Sequence, residues 1–419
     1  MADVTLGDTA ARQAFFRRSI HNNLRYWQAW AETHLSHPDA LTTERDGIIR
    51  ALSFAMKLES AWDLDYRLIL QFSSFMERGG HWQAWESLLR HAMRTARRFG
   101  KIEEEAGLAA LLGLMLQRQQ KFAAAIARHR YAIKTARQAG NHYALVRSLT
   151  NLGYLYIQRG NWWRAEILCW HALPAFKIAD NLSGQAHTHN HLGLLYTETG
   201  AWDCARRHLQ QACALWESIG DMHGLMRGTV NLSALAIWME EPSAALAHLE
   251  QASALQQTSG DQAERCIIFR NFSIAHRLNG DFAAAETYAR QAEDCFRAQN
   301  DVSGLAQVWN SLGMLYAATG DSAQAEVYLR EALQAATRLG DTKLQVLVAA
   351  DMVDFYLRSG QPGKAAAQMD GLAAAIAATY RHTARHPYWD AKLAAFRRAL
   401  AGAKPTNIVG NKPNSLEKS

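Results

Sequence analysis

Proline is scarce, at seven in 419 residues, and the apolar residues never run together for long. No stretch approaches ~18 uninterrupted apolar residues, the rough minimum for a membrane span. The N-terminus, "MADVTLGDTAARQAFFRRS", has no apolar core of the kind a secretory signal needs. These absences predict a chain that is neither secreted nor membrane-spanning. There are five cysteines, Cys169, Cys204, Cys213, Cys266 and Cys295, with no CxxC and no metal-ligand spacing. They read as reduced, mostly buried thiols of a cytosolic protein. No GxxxxGK[ST], GxSxG, HExxH or DFG-like set occurs, so no constellation for phosphate binding, acyl transfer or metal hydrolysis is apparent. The formal net charge of +6 is mild. Nucleic-acid binding generally needs basic residues clustered on one face.

What is present favours folded helix. Hydrophobic residues make up 49% and charged residues 20% of the chain, far from the balance of a disordered one. Ala, Leu, Arg and Gln are abundant, and these side chains lose little freedom in a helix.

Written in rows of forty from residue 61, the sequence aligns with itself almost without gaps. Leu112-Gly113, Leu152-Gly153, Leu192-Gly193 and Leu312-Gly313 share one column, with Leu232-Ser233 and Phe272-Ser273 at the same place. Tyr156, Tyr196, Tyr316 and Tyr356 share another. One alanine column runs Ala125, Ala165, Ala205, Ala245, Ala285, Ala325, Ala365. A second runs Ala92, Ala132, Ala172, Ala212, Ala252, Ala292, Ala332. Such self-similarity fixes the architecture before any local reading. Gly-Asp or Gly-Asn pairs punctuate the rows: Gly140-Asn141, Gly160-Asn161, Gly220-Asp221, Gly260-Asp261, Gly280-Asp281, Gly320-Asp321, Gly340-Asp341. Glycine ends one helix in the left-handed region and the next residue caps the following helix. Each half-row is then a helix of about 17 residues, roughly 25 Å long. The alanines and glycines are contact points between paired helices. Pro174 falls inside one helix and predicts a kink.

The Leu-Gly-x-Leu-Tyr run of the first helix (A), the two alanine columns of the second (B) and the aromatic Trp309 resemble the tetratricopeptide repeat family. The resemblance covers residues 61–380, with a forty-residue period in place of the family's usual 34. That longer form is similar to kinesin light chains, bacterial peptide-sensing regulators and the sensor arms of bacterial STAND signalling ATPases. It implies an all-α fold: a right-handed superhelix, or α-solenoid, of about eight helical hairpins. Row 61–100 is degenerate, with Trp85 at the alanine position and Gly79-Gly80 as punctuation. Residues 1–60 form an N-terminal helical flank like the start of a STAND repeat arm. Residues 381–401 hold a C-terminal capping helix with Tyr388, Trp389, Leu393 and Phe396 facing inward. Residues 402–419 form a disordered tail.

One polar column stands out. Asn151, His191, Asn231, Asn271, Ser311 and Asp351 precede the Leu-Gly position in successive rows. Helical geometry puts each on one stripe with the residues four before and three after. By the resemblance, this stripe of helix A lines a concave groove. The candidate groove residues are Arg147, Asn151, Tyr154, His187, Asn190, His191, Arg227, Asn231, Arg270, Asn271 and Asn310. An amide both donates and accepts, so a row of them can hold an extended backbone. Alternatively, each amide bonds the adjacent repeat and meets no ligand. His187 and His191 lie one turn apart, but two imidazoles do not close a metal site, so no metal is expected. The basic stretches 90–101 and 128–138 read as solvated outer faces, and Trp162 and Trp163 as packing residues.

The expectation is a non-enzymatic cytoplasmic scaffold or sensor, without cofactor, that binds a protein or peptide segment. The arginines on the stripe suit an acidic one. The alternative is a regulatory subunit acting in trans with a STAND ATPase or protease. A nucleic-acid-binding solenoid and a hydrolase are disfavoured.

Overall fold

Helix is what the composition favours, and the computed structural model is helical without a strand among the described residues, which are 5–34, 38–78, 82–119, 121–259, 262–380 and 386–402. The helices are α1 (Thr5–His34), α2 (Pro38–Ala55), α3 (Trp62–Arg78), α4 (Trp82–Arg98), α5 (Ile102–Arg118), α6 (Phe122–Ala139), α7 (His142–Gln158), α8 (Trp162–Ile178), α9 (Leu182–Thr199) and α10 (Trp202–Ser218). They continue with α11 (Met222–Trp238), α12 (Pro242–Ser259), α13 (Gln262–Leu278), α14 (Phe282–Ala298), α15 (Val302–Thr319), α16 (Ser322–Leu339), α17 (Thr342–Arg358), α18 (Pro362–Thr379) and α19 (Pro387–Leu400). The fold is an all-α solenoid of helical hairpins.

The punctuation works largely as the sequence predicts. Gly140, Gly200, Gly320 and Gly340 close their helices with φ between 66° and 88°. Asn181, Asp221, Asp281, Asp301, Asp321 and Asp341 cap the next helix by accepting from a backbone N–H three residues on. Asn161 departs from the rule and makes no side-chain cap. Three turns achieve the left-handed conformation without glycine, at Asp180, Glu240 and Asn300. The short polar side chains of Asp180 and Asn300 suit this region, whereas Glu240 adopts it without that advantage. The expected punctuation at Gly79-Gly80 and Gly260-Asp261 lies outside the described residues. So does the expected tail beyond Gly402. The α8 helix runs through Pro174.

Contacts divide the chain into two compact units, Met1–Leu155 and Tyr156–Ser419. In the first, α1 to α3 pack on one another, and α3/α4 and α5/α6 follow as packed pairs. Its core holds Leu24, Ile48, Trp62, Phe72 and Trp85, all fully buried.

In the second unit, α9/α10, α11/α12, α13/α14, α15/α16 and α17/α18 are hairpins. The A helices α9, α11, α13, α15 and α17 also touch their successors directly, while the principal contacts of α10, α12, α14 and α16 are with their chain neighbours. The A helices therefore form the crowded inner row. Every residue of the two alanine columns is 0% exposed. The Leu-Gly glycines lie against helix B of the same hairpin: a Cβ on Gly193 would stand 2.6 Å from Leu209, and one on Gly313 2.7 Å from Leu329.

Successive hairpins are joined by a device that the sequence reading missed. The Tyr196, Tyr316 and Tyr356 hydroxyls donate to Glu166, Glu286 and Glu326 of the preceding helix B, at 2.8, 2.7 and 3.0 Å. Each glutamate directly follows an alanine of the first column, so the pairing was readable from the same grid.

Two expectations need correction. Cys266 of α13 and Cys295 of α14 are not reduced thiols but a disulfide, with Cα atoms 5.5 Å apart, while Cys169, Cys204 and Cys213 are free. A spacing of 29 residues means nothing along a chain, yet it brings two residues face to face across an antiparallel hairpin. Trp162 is a packing residue as expected, but Trp163 is 65% exposed. Adjacent helical residues point about 100° apart, so one indole turns inward and the next outward.

Candidate functional site

The candidate stripe falls in both units, and each part stands by itself. In the first, Arg147, Asn151 and Tyr154 are half-buried on α7. The Arg147 charge acts on Tyr66 and on the buried His129.

In the second unit the stripe residues engage one another from repeat to repeat. Asn231 of α11 donates to the Asn190 carbonyl oxygen of α9 at 2.8 Å. Asn271 of α13 donates to Ser233 of α11 at 3.4 Å. Asn310 of α15 donates to Asp351 of α17 at 2.7 Å. Arg270 donates to Asn271 at 3.1 Å and to Gln307 of α15. Burial lowers the Arg270 guanidinium to about 10, against the opposing pull of Asp301 and Glu264. Arg227 of α11 lies 3.8 Å from Glu264 of α13.

Accessibility sorts these residues. Asn190, His191, Asn271 and Asn310 are buried, whereas His187, Arg227, Asn231 and Arg270 are half-buried. The buried amides and Asn231 link repeats, and the accessible parts of the half-buried residues can also meet a ligand. Two buried atoms keep unused capacity: the Asn190 amide nitrogen and the Asn310 carbonyl oxygen have no hydrogen-bond partner.

The histidines do not converge. His187 lies edge-on to Trp216, with ring centroids 5.3 Å apart. His189 pairs instead with His208 of α10 at 2.9 Å. Burial, helped by the His208 and Lys177 charges, lowers His189 to about 4. Among the described residues, no group of three or more His, Cys, Asp or Glu is placed to hold a metal ion.

The stripe extends further than the sequence reading took it. Glu198 and Trp238 lie seven residues beyond His191 and Asn231 on the same helix face, and Asp354 lies three beyond Asp351. All four of Glu198, Trp238, Asp351 and Asp354 face the chain's own C-terminal segment. Tyr380 and His386 pack on Trp162, with ring centroids 5.0 and 4.8 Å apart. Burial lowers His386, with Glu198 pulling the other way. Tyr388 lies edge-on to Trp238 at 5.5 Å and passes 3.9 Å from the Cβ position of Gly200. Trp389 donates to the Tyr380 hydroxyl at 3.0 Å. Burial alone would lower the Lys392 ammonium, but Tyr388, Asp351 and Asp354 outweigh it and raise it. Burial raises the Asp351 carboxyl, with Lys392, Asn310 and Arg277 pulling the other way. Trp389 and Phe396 are buried, and Tyr388 and Leu393 are half-buried. The sequence shows an amphipathic α19 but not which surface receives it.

The outer surface offers less. In the basic stretch 90–101, Arg90 pairs with Glu86 at 2.7 Å and Arg97 with Glu105 at 2.6 Å, while Arg98 donates to the Met56 carbonyl. These contacts tie the cations locally. A cavity of about 300 Å³ lies between α16 and α18, lined by Arg330, Met352, Tyr356 and Lys364 among others. Among the described residues, no helix is long and apolar enough to cross a membrane.

Residues 306–338 match the tetratricopeptide repeat family model. No curated protein matches the sequence. Among solved structures, a Rap protein complexed with competence and sporulation factor is 12% identical with a TM-score of 0.56, over 81% of this chain and 99% of that one. The apo quorum sensor NprR from B. thuringiensis is 14% identical with a TM-score of 0.54, over 86% and 99%. A STAND protein with a tetratricopeptide repeat sensor, from Pyrococcus horikoshii, is 15% identical with a TM-score of 0.52, over 81% of this chain and 52% of that one. Residues 306–338 are thus a tetratricopeptide repeat, and the paired helices with their small-residue contacts give the whole chain the fold of these solved repeat proteins.

Proposed function

We propose that the chain is a non-enzymatic scaffold or sensor that binds a segment of another protein, or a peptide, on the inner A-helix face of its second unit. The observation that carries this is the half-buried polar row of Arg227, Asn231 and Arg270 beside buried amides that hold the repeats in register. Solenoids of this kind work through extended surfaces. A similarly folded Rap protein has been solved in complex with competence and sporulation factor, and NprR is a quorum sensor, which supports a segment-binding role. The acidic preference expected from the arginines is the weaker half of this reading. Arg227 already faces Glu264, and Arg270 is bonded to Asn271 and Gln307. A cytoplasmic home belongs to the same proposal. It requires the fold to tolerate opening of the Cys266–Cys295 pair, since reducing compartments keep thiols reduced. Action in trans with a STAND ATPase or protease is the second reading. It is favoured by the likeness to a sensor arm that makes up part of a longer STAND chain.

Affinity capture from the native host tests the reading. Arg227→Glu combined with Asn231→Ala is expected to lose the captured partner by about tenfold or more, each lost contact being worth ~1 kcal/mol, and to melt no lower than Asn190→Ala combined with Arg227→Glu, which loses the same inter-repeat bond. Asn190→Ala or Asn310→Ala alone should lower the melting temperature and leave capture by the folded protein intact, because these buried amides join repeats. Undiminished capture by the well-folded double variant contradicts the proposal.

A further inference from the structure

The inner face of the second unit is not empty: α19 lies on it. Its Tyr388 meets Trp238, and its Lys392 is raised by the charges of Asp351 and Asp354. Lys392 also stands within 6 Å of the ring centroids of Tyr388, Trp389 and Phe396. The helix presents one aromatic and cationic face inward, while Asp390, Arg397 and Arg398 point to solvent. The fit is incomplete. Trp238 stays 37% exposed, and His386 Nε2 and Arg277 Nε are buried without a hydrogen-bond partner. Buried polar atoms left unpaired cost free energy, so an occupant that satisfied them would hold the face more tightly.

We propose that α19 is a built-in occupant of the binding face, and that the partner segment recognised there is an amphipathic helix of the same chemistry, with two adjacent aromatics and a lysine about one turn later, which competes with it. This rests on the segment-binding reading above and specifies its ligand. Charge and aromatic contact together favour this chemistry: Asp351 and Asp354 act on Lys392 and Tyr388 meets Trp238, while Asp354 also pairs with Arg358 at 2.8 Å and Glu198 with Lys343 at 3.0 Å. Tethering fixes the consequence. A segment on the same chain acts at an effective concentration on the order of millimolar, so an outside ligand binds weakly until the internal helix is loosened.

The test uses the full-length chain and a fluorescein-labelled peptide of residues 386–400, with binding read by fluorescence anisotropy. The double variant Tyr388→Ala, Lys392→Glu is expected to bind the peptide at least tenfold more tightly than the wild type. A peptide carrying the same two changes should bind neither protein. Equal affinity for both proteins, no binding by a variant with wild-type helicity, or tighter binding of an acidic peptide of equal length would overturn the proposal. Should the variant fail to fold, hydrogen exchange on the wild type decides. Excess peptide is expected to accelerate exchange of the α19 amides, and unchanged exchange overturns the proposal. Failure here, with the Arg227/Asn231 effect on capture intact, leaves the segment-binding reading standing with another ligand. Failure of both removes that reading as well.

Discussion

Gly224→Ala is expected to destabilise the chain by about 1–3 kcal/mol, whereas Gly371→Ala should stabilise it by up to about 1 kcal/mol. The two changes are chemically identical and both lie in helices, where alanine is intrinsically preferred. They differ in what the new methyl meets. At Gly224 of α11 it would stand 2.4 Å from the Trp216 ring of α10, and Trp216 is fully buried. At Gly371 of α18 nothing lies within 4 Å. The interlock recurs as Gly184 against Phe176 and Gly304 against Phe296. Where the aromatic position is an alanine, the glycine position relaxes too: Ala136 faces Ala144 in one cluster, and Ala336 is followed eight residues later by Leu344. Trp216→Ala alone should cost about 3–5 kcal/mol. Combined with Gly224→Ala it should cost less than the sum, because removing the ring makes room for the methyl. Urea unfolding of the four variants checks this. Equal shifts for Gly224→Ala and Gly371→Ala would mean that the hairpins are not held by this contact.

The second large effect is a pair of opposed pH dependences in the first unit. His129 is fully buried with neither ring nitrogen bonded, and burial, with the Arg147 charge, lowers it to about 3. Unfolded, it titrates near 6.5. Between these values the unfolded chain binds more protons, so stability falls as pH drops, by about 1.4 kcal/mol per unit. Asp65 is the reverse. It is fully buried with both carboxylate oxygens unpartnered, and burial raises it to about 8 from an ordinary value of 3.8. The folded chain holds that proton longer, so the stability it supports is complete below about pH 4 and is lost as pH rises through about 8. The two slopes cancel between about pH 4 and 6.5. His129→Leu should uncover the Asp65 slope, and Asp65→Leu the His129 slope. Both variants should be more stable than the wild type at pH 7.5, by about 1–3 kcal/mol, as a buried polar group without a partner is removed. Leucine suits both places, since Leu209 and Leu329 occupy the His129 column and Leu145, Leu225 and Leu305 the Asp65 column. Parallel pH profiles for all three proteins would contradict this account.

These sites show which parts of the molecule a sequence makes legible. The forty-residue grid locates the helices, because Gly200, Gly320 and Gly340 and the caps after them act within one turn of the chain. It locates the close contacts, because a column of alanines has one packing solution. It reveals less wherever partners lie on different helices. Asn231 bonding Asn190, Cys266 bonding Cys295 and Tyr316 bonding Glu286 are separated by 41, 29 and 30 residues. A stripe drawn along one helix shows which residues share a face, not whether they bond each other. The seat of α19 on Trp162, Glu198 and Trp238 was hidden for the same reason, since more than 140 residues separate Trp238 from Tyr388.

The most direct test of the central claim is a hydrogen-exchange footprint of the captured partner on the full-length chain. The account predicts slowed exchange along the inner A helices α9, α11 and α13 of the second unit, around Glu198, Arg227 and Arg270. Slowed exchange confined to the outer face of α8, where Trp163, Ile167 and Trp170 are exposed, would contradict it.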